Sequence, residues 1–144
     1  MKKELLVPAG DMLSFKAAVH AGADAIYVGG KRFGARKFAS NFDNDELKEI
    51  VDYARLYGVK VYVTVNTMIY EREMDDVLEY VKYLASINVD AVIVQDIGLI
   101  RLIRKYLPNL EIHASTQAHN YTKESFDLLE ELGVKRVDLQ EKLV

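Results

Sequence analysis

Residues 57–66 read YGVKVYVTVN. Val61, Val63 and Val65 alternate with Tyr62, Thr64 and Asn66, so an extended chain here shows valines on one face and polar groups on the other. The stretch follows a grammar used four times. AGADAIYVGG (21–30), INVDAVIVQD (87–96) and LGVKRVDLQE (132–141) repeat it. Each begins where a helix closes, and Gly22, Gly58, Asn88 and Gly133 suit the left-handed residue of that closure. A β-branched strand follows and ends in glycine or polar residues. LEIHAST (110–116) is a related strand entered after Pro108, and ELLVPAG (4–10) starts the series.

Helical periods fill the gaps. Leu47, Ile50, Val51, Ala54 and Tyr57 recur at threes and fours, with Asp43 or Asn44 placed to cap the start. Val77, Tyr80, Val81, Leu84 and Ile87 form a second such face. Leu99, Leu102, Ile103 and Tyr106 form a third, stopped by Pro108. Thr122 can cap a last helix carrying Phe126, Leu129 and Leu132. A first helix from Met12 to about Ala21 places Phe15, Ala18 and Val19 together.

Five strand–helix units and a sixth strand predict a parallel sheet with right-handed crossovers. A doubly wound sheet carries helices on both faces, so its strands are apolar on both. Here the third strand has a polar face, and so do the fifth (Glu111, His113, Ser115) and the sixth (Asp138, Gln140). That pattern predicts a TIM-like (β/α)8 barrel with helices outside and a partly polar lumen; AVIVQ (91–95) suits either architecture. A barrel takes eight strands and about 250 residues, whereas this chain has 144. The expectation is one domain, 1–144, forming the six-strand N-terminal part of a longer barrel, with a smaller open sheet as the alternative. Its open edges would invite self-association.

Composition narrows the chemistry. The chain is half apolar and 28% charged, with a net charge of −3 and a pI of about 5.6, so no global field draws it to nucleic acid or acidic lipid. It contains no cysteine, which excludes disulfides, thiolate metal sites and a thiol nucleophile within these residues. Met1-Lys2-Lys3 leads directly into a strand without the apolar core of a signal peptide, and no apolar run approaches about 20 residues. A cytoplasmic protein without membrane contact is expected.

In parallel α/β folds ligands sit beyond the carboxyl ends of the strands. Those ends read Pro8-Ala9-Gly10-Asp11, Gly29-Gly30, Asn66-Thr67, Gln95-Asp96, Ser115-Thr116-Gln117 and Gln140-Glu141. Any one polar residue there could simply cap a helix, but six separate segments turn polar at the same level. The long connection GGKRFGARKFASNF (29–42) interleaves Lys31, Arg32, Arg36 and Lys37 with Phe33, Phe38 and Phe42. It suits an anion with a flat portion, or else it is a solvated loop tucked down by its phenylalanines. Asp96, Glu111 and His113 carry acid–base chemistry in principle, although spacing alone does not bring them together.

Familiar motifs are missing. Gly29, Gly30 and Gly34 lack dinucleotide spacing, and no P-loop Lys-Ser/Thr follows. DNDE (43–46) lacks the glycine and distal glutamate of a calcium loop. His113 and His119 lack zincin spacing, and Ser115 lacks nucleophile-elbow glycines. No lysine ends a strand, which disfavours Schiff-base chemistry. No metal site is expected.

ELLVPAGDMLSFKAAVHAGADAIYVGG, FGARKFASNF, VYVTVNT, DAVIVQDIG and EIHASTQ resemble, in order, blocks of the collagenase-like peptidases, family thirty-two of the class with unknown catalytic type. The resemblance runs to about Val137. It implies a TIM-like barrel and a peptidase, hence hydrolase, activity on peptide. It also brings relatives that act in prephenate-dependent hydroxylation of tRNA or rRNA, or in ubiquinone hydroxylation. An iron–sulfur cluster would then belong to a later cysteine-bearing segment that this chain lacks, leaving the chain alone inactive. Matching positions imply Arg36, Asn66, Gln95, Asp96, His113, Ser115 and Gln117 as site lining, with no assigned nucleophile. Within that lining His113 and Asp96 are the expected catalytic groups, and Arg36, Asn66, Gln95, Ser115 and Gln117, with Lys37 of the basic loop, the expected contacts to a peptide, RNA or small anionic substrate. Where the family continues with Arg-Glu after the sixth strand, this chain has Gln140-Glu141-Lys142.

Overall fold

A computed structural model describes residues 4–30, 42–65, 74–117 and 122–140. Strands and helices alternate throughout: β1 (Leu6–Pro8), α1 (Met12–His20), β2 (Ala25–Gly29), α2 (Asn44–Leu56), β3 (Lys60–Val65), α3 (Met74–Ser86), β4 (Ala91–Val94), α4 (Ile97–Tyr106), β5 (Ile112–Gln117), α5 (Lys123–Glu131) and β6 (Arg136–Gln140). The sheet order is β1-β2-β3-β4-β5-β6, and every pair is parallel. With crossovers of one hand, a sheet that never reverses its order keeps its helices on one face and curls. The result is the half-barrel expected from the alternating strands.

Local rules place the helix ends. Asp11, Asp43, Asp96 and Thr122 occupy the N-caps of α1, α2, α4 and α5, each accepting from a backbone N–H three residues on. Asp43 forms a full capping box with Glu46. At the other ends Gly22, Gly58, Gly133 and the non-glycine Asn88 have positive φ, as closure in the left-handed region requires. The recurring Asp before a strand also has a task. Asp24 accepts from the Leu5 N–H and Asp90 from the Val61 N–H, both at 2.7 Å, tying each strand's start to its neighbour.

The two sheet faces bury different things. Ile26, Val28, Val61, Val63, Val65, Val92, Val94, Ile112 and Ala114 pack outward against Phe15, Leu47, Ile50, Leu84, Leu99 and Ile103 of the helices. Ala25, Tyr62, Ala91 and Ile93, with Leu6 and Tyr27, form a smaller cluster on the concave face. The lumen is therefore apolar around β1–β4 and polar chiefly around β5–β6. Three residues of the predicted helix faces lie out of the core: Tyr57 (53% exposed), Tyr106 (50%) and Phe126 (40%). Tyr57 follows the last residue of α2, Tyr106 closes α4 and Phe126 lies in the first half of α5. Tyr57 meets His20 and Tyr53 at ring distances of 5.1 Å, and Tyr106 lies under the Lys82 and Lys105 ammoniums. Among the described residues no helix is long and apolar enough to cross a membrane.

Candidate functional site

Among the described residues, the mouth of the half-barrel is formed by the segments that follow β1 and β4. Asp11 and Asp96 both reach it, and both use a carboxylate oxygen to cap the helix that follows. The Ser14 N–H and hydroxyl hold Asp11 below the usual carboxylate value. Asp96 Oδ1 accepts from the Leu99 N–H at 3.1 Å. A Cβ on Gly98 would stand 3.0 Å from that same oxygen, closer than van der Waals contact, so glycine there keeps the cap undisturbed. Gln95 is exposed beside it. Arg36, Lys37 and Asn66 lie outside the described residues. The backbone of Gln117 pairs with Gln140, and its side chain is likewise outside them.

Below the mouth, one register line crosses the sheet through Gly29, Thr64, Ile93, His113 and Arg136. The Thr64 hydroxyl donates to the Val28 carbonyl at 3.3 Å. His113 and Ser115 are 2% and 5% exposed, the buried polar residues of the described chain. His113 Nε2 lies 2.7 Å from Glu111 Oε2, and its ring packs edge-on against Tyr62 with centroids 4.7 Å apart. No hydrogen bond joins His113 to Asp96 among the described residues. Of the possible acid–base set Asp96, Glu111 and His113, the structure brings two together: Glu111 orients the histidine, while Asp96 holds a helix end.

Tyr62 connects this pair to the floor of the lumen. Its hydroxyl donates to Glu4 at 3.2 Å and accepts from Arg136 Nη2 at 3.3 Å. Arg136 forms an ion pair with Glu4 at 3.0 Å, and its guanidinium stands 5.6 Å from the Tyr62 ring centroid. Residues 132 apart in sequence thus meet beneath the concave face. Tyr62, Glu4 and Arg136 were not among the residues singled out as a site. Their signal was parity, since Tyr62 and Arg136 alternate with the outward valines of their own strands. Ala91, paired with Tyr62 on the intervening strand, carries too little side chain to separate Tyr62 from His113.

Burial, followed by the Glu4 carboxylate, pushes the Tyr62 phenol up to about 12 from an ordinary 10.0. A phenol whose folded value is raised contributes stability that is complete below the unfolded value and lost as pH climbs through the folded one. Urea unfolding from pH 9 to pH 12 is expected to show wild type losing stability between about 10 and 12 more steeply than Tyr62→Phe. Parallel slopes would mean that Tyr62 is not held as a buried donor.

Among the described residues no three His, Asp or Glu side chains converge as a metal-binding group. What the arrangement supplies is a concave polar wall with an oriented imidazole, under a rim of amide and carboxylate groups. The profile of Peptidase family U32 matches residues 10–143. The chain is 41% identical over 138 residues to tRNA hydroxylation protein P1 of Bacillus subtilis, covering 96% of this chain and 33% of that protein. It is 40% identical over 140 residues to a 23S rRNA 5-hydroxycytidine synthase of Escherichia coli, covering 97% and 21%. A Methanocaldococcus jannaschii protein described as an uncharacterized protease is 41% identical over 81% of this chain and 28% of its own length. The chain thus spans a third or less of these relatives. Among solved structures the U32 peptidase Mk0906 superposes with a TM-score of 0.73 at 19% identity, over 96% of this chain and 58% of that one. Phosphonopyruvate hydrolase superposes with 0.68 at 14%, over 98% and 55%, which is a likeness of barrel fold alone. With the profile running through nearly every strand and helix of the half-barrel, the chain belongs to peptidase family U32.

Proposed function

We propose that this chain is the substrate-cradling barrel portion of an RNA-hydroxylating protein. The carrying observation is the agreement, at 41% and 40% identity and along essentially the whole half-barrel, with relatives named for tRNA and rRNA hydroxylation. In this reading Arg36 and Lys37 neutralise phosphate, while Asn66, Gln95, Ser115 and Gln117 hydrogen-bond the edges of an unstacked base. His113 is the acid–base group of the lumen, and Asp96 combines its capping bond with a contact to substrate from the rim. RNA as substrate would place the protein in the cytoplasm. An iron–sulfur cluster would supply redox chemistry from another segment. The residues present do not fit that group, since the chain has no cysteine.

Hydrolysis of peptide is the second reading, favoured by the relative described as a protease. Mass spectrometry of nucleosides from tRNA and rRNA separates the two. Deleting the gene is expected to remove a hydroxylated pyrimidine. Wild type should restore it, whereas His113→Ala should lower its formation about a hundredfold or more, and Arg36→Ala with Lys37→Ala should weaken RNA binding and its salt dependence. Unchanged nucleosides, together with gelatin cleavage that His113→Ala abolishes, would overturn the RNA reading in favour of a peptidase.

A further inference from the structure

Nδ1 of His113 is buried and has no hydrogen-bond partner among the described residues. That is costly, because a buried polar atom without a partner forfeits the hydration it had in the unfolded chain. The other ring nitrogen shows what Nδ1 has to offer. A carboxylate only accepts, so with Glu111 Oε2 at 2.7 Å the proton of the neutral ring sits on Nε2. Nδ1 is then left with a lone pair. The ring cannot swing away to satisfy it, because the edge-on Tyr62 ring lies 4.7 Å from its centroid. Glu4 and Arg136 in turn hold the Tyr62 hydroxyl.

From this geometry we infer that Glu111 fixes the tautomer of His113 so that Nδ1 is the lumen's built-in acceptor for a ligand bearing an O–H or N–H donor. The inference deepens the RNA reading and rests on it for the choice of ligand, though not for the chemistry of the atom. Glu111 is a positioning residue, since it acts through the imidazole. Tyr62 is the wedge that stops the ring from turning. A bare carboxylate or phosphate oxygen has no proton to give to Nδ1, so anionic groups belong at the rim. A hydroxyl, imide or amide belongs in the lumen. A proton moving along this bond would leave the ligand's oxygen or nitrogen as an anion, and the imidazolium so formed would face the Glu111 carboxylate, as in carboxylate–imidazole pairs generally.

The test is a long-range proton–nitrogen correlation spectrum of the full-length 15N-labelled protein at pH 8, with His113 assigned by comparison with His113→Asn. Wild type is expected to hold the Nε2–H form over the Nδ1–H form by about tenfold, the worth of one hydrogen bond to a charged group. Glu111→Ala should bring the two forms near parity, whereas Tyr62→Phe, which keeps the ring, should preserve the bias. A purely structural Glu111 would leave the ratio unmoved, and that result, or an Nδ1–H wild type, overturns the inference. Two probes are then titrated in: a uridine-containing single-stranded oligonucleotide and a gelatin-derived peptide. Movement of the Nδ1 resonance by the oligonucleotide supports both readings. Movement by the peptide alone keeps the acceptor site and sinks the RNA substrate. Movement by neither overturns the acceptor site itself.

Discussion

Phe42→Ala is expected to lower the free energy of unfolding by about 4 kcal/mol, in the range of buried phenylalanine truncations. Phe42 is 1% exposed and meets the fully buried Phe15 edge-on at 6.5 Å. Its backbone N–H donates to the Gly29 carbonyl at 3.1 Å, and a parallel bridge pairs it with Gly30. The ring therefore does two jobs. It fills the space between α1 and the sheet, and it pins the returning end of the basic connection beside the strand it left. This is the tucked phenylalanine that the sequence offered as one reading of 29–42, and it is compatible with the other, since Arg36 and Lys37 lie between the two pinned ends. Urea denaturation gives the measurement: the midpoint should fall with the slope unchanged. A loss under about 1 kcal/mol would contradict core burial. In the RNA reading the same variant, assayed where it remains folded, should also bind single-stranded RNA more weakly, because the spacing of the loop's ends is no longer fixed.

Arg104→Ala is the second large effect, at about 3 kcal/mol, because one guanidinium satisfies four carbonyls. Its Nε donates to Leu132 O at 2.7 Å and Nη1 to Pro108 O and Leu110 O at 2.7 and 3.0 Å. Nη2 donates to Gly133 O at 3.4 Å. These carbonyls belong to the turn after α4 and the turn after α5, so Arg104 staples together the entries to β5 and β6. Those are the strands that carry His113 and Arg136. Removal takes the guanidinium donors from all four carbonyls, two of them at part-buried bonds. Arg104→Lys should restore only part of the loss, since an ammonium cannot present the planar fork. If alanine and lysine proved equally harmless in urea titration, the staple would carry no weight.

What could be read from the residues alone was local. Strand parity, helix period, the capping Asp and Thr residues and the left-handed closers act within one turn or one strand, where the backbone itself dictates the answer. YGVKVYVTVN already separates the outward valines from the inward tyrosine, and unreversed repetition of that pattern leads to a curled parallel sheet. The polar turn after β4, Gln95 and Asp96, was legible for the same reason, because that strand ends within its own segment.

Only the tertiary structure decided which polar groups meet. Glu4 and Arg136 are at the far ends of the described chain, and Tyr62 reaches His113 across Ala91. Asp96 could serve a helix cap or an imidazole equally well by composition, and the α4 N–H groups claimed one of its oxygens. Parity states which face a side chain joins. It does not state the register between strands, and hydrogen bonds that depend on register across the sheet are settled by the packing of all six strands together.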